Sequence, residues 1–168
     1  MPGIWYDDYE AGHVFEFGEV TMVEEEIINF ATKYDPQPFH VDKSAAAAGM
    51  YGGIIASGWH TVSVCMRMIV DNMMGPDSGS LGSPGLSEVS WPKPVRPGDT
   101  LRLRAEILEK IPSKSKPDRG FWRVRFAALN QNDEEVAVMV PMQYFMKRTS
   151  EQSEYSWIDL TIPTSAML

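Results

Sequence analysis

Asp35 and His40 bracket the segment Asp35-Pro36-Gln37-Pro38-Phe39-His40, where the chain's residue types first suggest chemistry. Two prolines in three residues make a stiff, non-helical connection. An acid and an imidazole held close together can share one water. Such a pair suits general acid–base work, because His titrates near neutrality and the carboxylate orients or deprotonates the water. The alternative at this spacing is an Asp that caps a turn and a His packed at its edge. The second feature is Gly52-Gly53-Ile54-Ile55-Ala56-Ser57-Gly58-Trp59, glycine-rich sequence that leads into a long apolar segment. The first amides of a helix lack internal acceptors and sit at its positive dipole end. Aimed at a carbonyl they form an oxyanion hole, and Gly58 lets a ligand approach closely. The alternative is a Ser57 that only caps the helix and a Gly58 that only permits tight packing.

Several elements must position these residues. Residues 10–20 read as an opening strand with Phe15 and Phe17 on one face. Thr21-Met22-Val23-Glu24 has the form of a capping box. Val23, Ile27, Ile28, Ala31 and Tyr34 recur at helical spacing, which predicts a short helix over 22–34. It stops near Asp35, because Pro36 disfavours helical geometry in the residue before it. Ser57 to Met74 is apolar over most of a helical circumference, with Arg67 and Asp71 its only charges, so it predicts a buried helix. At ~1.5 Å per residue this helix crosses a small domain, about 27 Å.

Residues 75–85 are a Gly, Ser and Pro loop. Leu86 to Val95 reads as a strand bent or placed at an edge by Pro92 and Pro94. Leu101, Leu103, Ala105 and Ile107 alternate with polar residues, as do Trp122, Val124, Phe126 and Ala128. Val136, Val138, Val140, Met142 and Tyr144 close the series after turn chemistry at 130–133. The sum is α+β, one long helix against an antiparallel sheet with one solvated face. We expect a single domain over 1–148 and an irregular tail over 149–168.

Composition narrows the function. Fifteen Lys and Arg against 23 Asp and Glu leave a net charge of −8, poor for non-specific nucleic-acid binding. One cysteine, Cys65, excludes an intrachain disulfide, and with three His it argues against a structural zinc site. No stretch approaches the ~18 apolar residues of a membrane span, and acids stand where a signal peptide carries bases. No metal, no nucleic acid, no membrane and a reducing cytoplasm are the expectations.

Together these features match a family. Asp35 to His40 resembles the hydratase motif of MaoC-like dehydratases and (R)-specific enoyl-CoA hydratases, which reads Asp, any residue, Asn, Pro, apolar residue, His. Ala45 to Ala48, the Ser57-Gly58 step and Lys93-Pro94-Val95-Arg96-Pro97-Gly98-Asp99 are similar to this family too. The resemblance covers about residues 5–148, with one departure, Gln37 where the motif has Asn. It implies a hot dog fold, an antiparallel sheet wrapped around the long central helix. It also implies a homodimer or larger homo-oligomer and a substrate that is an acyl thioester of coenzyme A or acyl carrier protein. No separate cofactor is implied, since coenzyme A arrives with the substrate. Asp35 and His40 correspond to the catalytic pair and the Gly58 amide to the oxyanion donor. The expected reaction is reversible addition of water to a 2-enoyl thioester, giving the (R)-3-hydroxyacyl thioester.

Six bases against one acid make residues 110–125 locally +5. Lys114, Lys116 and Arg119 there, and Lys93 and Arg96 earlier, are candidate contacts for coenzyme A phosphates. A solvated hairpin explains the same cluster. His60 is expected to be structural, Cys65 to line the core or a tunnel, and Trp91 and Trp122 to pack rather than bind. Competing readings are a hot dog thioesterase, with attack at C1 instead of C3, a non-catalytic acyl-CoA-binding subunit, and one subunit of a hetero-oligomeric dehydratase.

Overall fold

The alternating segments pair as their periodicity demands. The computed structural model describes residues 3–149; the expected tail lies, from residue 150 on, outside the described residues. Five strands form one antiparallel sheet: β1 (Val14–Thr21), β2 (Leu86–Ser90), β3 (Thr100–Pro112), β4 (Arg119–Leu129) and β5 (Glu135–Met146), in the order β1-β3-β4-β5-β2. Among the described residues four helices accompany them: α1 (Glu24–Tyr34), α2 (Pro38–Val41), α3 (Lys43–Ala48) and α4 (Gly58–Asn72). α4 lies on the face of the sheet that carries Leu101, Leu103, Ala105, Trp122, Val124 and Phe126, and it meets them with Cys65, Met68 and Ile69. On β4 Arg123 and Arg125 face outward while the even residues are buried, as the expected one-sided sheet requires, but Ala127, Leu129 and residues 136–141 of β5 are buried too, so only part of the second face is solvated. This is the hot dog arrangement that the motif resemblance implies.

A close approach of α4 to β1 requires a glycine. Gly18 has φ +74°, a β-side chain there would lie 2.6 Å from Met68 Sδ, and the β1–β3 register shifts beside it. Gly18→Ala is expected to cost about 1–3 kcal/mol of stability. Urea unfolding checks this, and a midpoint equal to wild type would sink the account.

Four expectations need correction. The capping box does not form: Val23 is the N-cap, without a side-chain cap, and the Thr21 hydroxyl stays in β1, 3.1 Å from the Thr100 hydroxyl. Strand pairing up to Thr21 outcompetes the cap, so α1 begins at Glu24, not at residue 22. The connection after Asp35 is not wholly non-helical. Pro38 opens the turn α2, where its missing N–H costs nothing, and Asp42 then caps α3 through the amides of Ser44 and Ala45. The strand expected over 86–95 ends at Ser90, before the two prolines that lack an amide to pair. Finally, α4 is not buried on most sides. Trp59, Met66 and Val70 are about half exposed, at 57%, 49% and 41%. Their spacing puts them on one stripe, away from β1 and β3.

Candidate functional site

The site grows from the end of α1. Pro36 stops the helix, and Asp35, its C-cap, donates its own amide to Ala31 O at 2.8 Å. A carboxylate at a helix C-terminus faces the negative end of the dipole. Two hydrogen bonds overcome that. Ser57 Oγ donates to Asp35 Oδ2 at 2.7 Å and Gln37 Nε2 donates to Oδ1 at 2.8 Å. The Ser57 bond, then the Gln37 bond, hold the Asp35 carboxyl below the usual carboxylate range, against a smaller opposing effect of burial.

The turn α2 delivers His40 to a buried position, 4% exposed, packed edge-on to Phe39. His40 Nδ1 lies 2.7 Å from the carbonyl oxygen of Ile55. A carbonyl only accepts, so Nδ1 carries the proton and Nε2 is the nitrogen free to exchange one. Nε2 stands 3.3 Å from Asp35 Oδ2. The segment before α4 is held in register by Ile55 N to Phe39 O at 3.2 Å and Ala56 N to Val95 O at 2.8 Å.

Both side chains line a cleft of about 430 Å³ with Gly58, Tyr51 and Trp91. Gly58 is the first residue of α4, so its amide belongs to the turn without intrahelical acceptors. Ser57, the N-cap, gives its hydroxyl to Asp35 and not to the helix. Gly58 serves a packing purpose as well: a β-carbon there would sit 2.5 Å from Trp91 Cε2. The Trp91 indole donates to Gly58 O at 3.0 Å and meets Trp59 edge-on. An acid–imidazole pair facing a helix N-terminus across a cleft can hold a water against an electrophile whose oxygen takes up negative charge.

The five basic residues named from the sequence fall into two groups. Lys93 borders the cleft and pairs with Glu134, and Arg96 Nη2 donates to Tyr51 O at 2.6 Å. Lys114, Lys116 and Arg119 line a separate hollow of about 570 Å³ with Phe121 and Tyr144. That hollow lies at the far end of β4, ten residues or roughly 33 Å from Leu129. His60 does not line the cleft. It stacks on Phe30 of α1 at 4.8 Å, and burial pushes its imidazole below the usual range. Cys65 is fully buried and its thiol is pushed up to about 12, which leaves it inert. Trp122 packs in the core, whereas Trp91, expected only to pack, also walls the cleft.

Sequence reasoning missed two contributors. In sequence the Ser57 hydroxyl offers only a possible helix cap, and nothing there pairs it with a carboxylate 22 positions earlier. Trp91 stands between an edge strand and a Pro-Lys-Pro exit, and nothing in that local pattern links it to Gly58, 33 positions earlier. Among the described residues no group of three or more His, Cys, Asp or Glu is placed to hold a metal ion. Nor is any described helix long and apolar enough to cross a membrane.

Known proteins share this fold. A MaoC-like dehydratase from Rhodospirillum rubrum superposes with a TM-score of 0.81 at 37% identity, over 88% of this chain and 99% of that one. The unliganded R-hydratase PhaJ1 of Pseudomonas aeruginosa gives 0.69 at 26% identity, over 87% of both. The 3-hydroxybutyryl-CoA dehydratase of Methylorubrum extorquens is 25% identical across 67% of this chain and 69% of its own length. The family model for the MaoC like domain matches residues 9–124, which contain the whole Asp35–His40 turn and the start of α4. The chain belongs to that family, the hot dog hydratases and dehydratases of the MaoC type.

Proposed function

We propose that the protein reversibly hydrates 2-enoyl thioesters to (R)-3-hydroxyacyl thioesters. The observation that carries this reading is the Asp35 Oδ2 to His40 Nε2 separation of 3.3 Å, beside the first turn of α4 in one cleft. The water is held by Asp35 Oδ2 and His40 Nε2 together, on the cleft side of the pair, over C3 of the enoyl group. His40 Nε2 takes its proton as the oxygen bonds to C3. Asp35 is a weak base because its bonds to Ser57 and Gln37 favour the ionised form. It therefore orients the water and balances the imidazolium charge. Charge collects on the thioester oxygen as an enolate, where the Gly58 amide and the α4 dipole stabilise it. The proton then passes from His40 to C2. Dehydration retraces these steps. Gln37 supports the reading directly, since its amide reaches the carboxylate it must hold.

The thioester substrate rests on the family and on the dehydratase relative named for a coenzyme A ester. Lys93 and Arg96, near the cleft mouth, are our choice for phosphate contacts, ahead of the distant hairpin bases. Loss of the conjugated enoyl absorbance with trans-2-enoyl-CoAs, followed by chiral analysis of the alcohol, tests the reaction. Thiol release without hydration would assign a thioesterase. Tight acyl-CoA binding with no turnover at any chain length would assign a binding subunit.

Ser57→Ala provides a pH test. The Ser57 bond lowers the Asp35 pKa, and removing it lets that value rise. Both an ionised Asp35 and an unprotonated His40 Nε2 are required, so kcat/KM falls through two protonations on the acid side. Raising the Asp35 pKa is expected to move the onset of the steeper, two-proton fall to higher pH, with about a tenfold loss at neutrality from the weaker hold on the carboxylate. A Ser57→Ala profile that matches wild type both in its acid limb and in its rate at neutrality would remove Ser57 from the mechanism.

A further inference from the structure

The sheet face turned away from α4 carries an apolar row where solvent calls for polar side chains. Phe121 stands two residues before Arg123 on β4, so its ring points to the same outward side. Ile111 of β3 and Tyr144 of β5 are its cross-strand partners. The Phe121 and Tyr144 rings meet edge-on at 5.5 Å. Leu81 lies beside them, its amide donating to Tyr144 O at 2.9 Å. Ile111, Phe121 and Tyr144 are half-buried and Leu81 is exposed. Together they floor the hollow of about 570 Å³ at the β3–β4 turn, a size that suits a small ligand. β5 also walls the Asp35–His40 cleft, through Val136, but eight residues or roughly 27 Å separate Val136 from Tyr144. The two spaces share no lining residue.

The rim of the hollow is cationic. Lys114, Lys116 and Arg119 stand there beside one acid, Asp118. Asp118 is already committed, since its carboxylate accepts from Arg119 Nε at 2.9 Å and from Nη2 at 2.8 Å. Arg119 Nη1 and both lysines stay open to a ligand. Among the described residues no carboxylate pairs with Lys114 or Lys116, although acids outnumber bases 23 to 15 in the chain. Neighbouring like charges repel, and an anion between them removes that repulsion. The turn that presents them is ordered. Ser113 N donates to Arg119 O at 3.1 Å, and Lys116 N donates to Ser113 Oγ at 3.2 Å.

We infer that this hollow is a second ligand site and binds a nucleoside diphosphate, its base against Phe121 and Tyr144 and its phosphates on Lys114, Lys116 and Arg119. The site is separate from the Asp35–His40 cleft and does not depend on the thioester reading. Aromatic side chains stack on any nucleobase, because every base has a π-face. Lysine and arginine donate charge-assisted hydrogen bonds to phosphate oxygens. Inorganic phosphate or pyrophosphate alone would satisfy the cations and leave the aromatic row bare.

The test is calorimetric titration of the full-length protein with ADP, inorganic pyrophosphate and coenzyme A. ADP is expected to bind saturably, one per chain. Pyrophosphate lacks the base and should bind weaker by about tenfold or more. Lys114 and Lys116 are exposed on a turn, so the double variant Lys114→Gln, Lys116→Gln is expected to fold. It should weaken ADP by about tenfold or more, as loss of charged donors does. Tyr144→Leu should weaken ADP by about tenfold and leave pyrophosphate unchanged. Should that variant melt early, the comparison of ADP with pyrophosphate on wild type still decides whether the base is read. Three results overturn the proposal: no saturable ADP binding, ADP binding that the double lysine variant retains, or pyrophosphate binding as tight as ADP. Coenzyme A carries the same diphosphate and distinguishes the sources. A free-nucleotide site is expected to release ADP to coenzyme A only at an equal or higher concentration. Displacement at a tenfold lower concentration overturns the separate site and gives the hollow to the nucleotide end of a coenzyme A ester.

Discussion

Asp35→Asn and His40→Ala are each expected to lower kcat/KM for enoyl-CoA hydration by about 10²–10⁴-fold, the range for a positioned acid–base group. That corresponds to roughly 3–5 kcal/mol of transition-state stabilisation. Asparagine keeps the shape of Asp35 and can still accept from Ser57 Oγ, but it loses the charge that balances an imidazolium. Alanine at 40 removes Nε2 altogether. It also strands the buried Ile55 carbonyl that Nδ1 now satisfies at 2.7 Å, a cost of about 1–3 kcal/mol in stability. His40→Gln separates the two effects, since its amide N–H can still reach a carbonyl while its side chain is no base. Initial rates and melting curves on all three variants decide the matter. A folded variant with a rate within a few-fold of wild type would strip that residue of its role.

Gly58→Ala is expected to cost about 10²–10³-fold in kcat, as loss of an oxyanion donor does, while the fold survives. The added β-carbon would lie 2.5 Å from Trp91 Cε2 and 2.7 Å from its Nε1. Contacts that short cannot persist, so the indole must shift or the first turn of α4 must move. A shifted indole gives up its 3.0 Å bond to Gly58 O. A moved turn misdirects the amide that the proposed mechanism aims at the thioester oxygen. The Gly58→Ala, Trp91→Ala double variant distinguishes a steric cause from loss of glycine itself. Removing the indole gives the β-carbon room, and the double variant should regain a large part of kcat. No recovery, with normal melting behaviour, would show that Trp91 is not what makes glycine necessary there.

These residues differ in how far sequence alone reveals them. The Asp35–His40 turn is local: two prolines and a helix stop act within six residues, so their effect on backbone geometry is legible without knowing the fold. The sheet was legible for a similar reason. Period-two alternation in β3, β4 and β5 reports a face buried against something, whatever that something is. Local signals failed where a distant element competed. Thr21 has capping chemistry, yet pairing with β3 claimed it. α4 is apolar nearly all round, yet β2 does not cover its outer stripe, and Trp59, Met66 and Val70 remain open.

Sequence by itself determined the α+β class, the order of the main elements, the stop of α1 at Asp35 and the placing of two candidate reactive groups on one stiff turn. Each follows from forces that act between residues a few positions apart. Only the tertiary structure decided that Ser57 serves the Asp35 carboxylate. It likewise decided that the Ile55 carbonyl sets the His40 tautomer, and that Lys93 stands at the cleft while the hairpin bases stand far from it. Those pairings join atoms 15 or more positions apart, or part charges that lie close in composition. They exist only once a curled sheet and the helix packed on it have brought distant backbone into contact. Periodicity, which sees one element at a time, carries no record of that meeting.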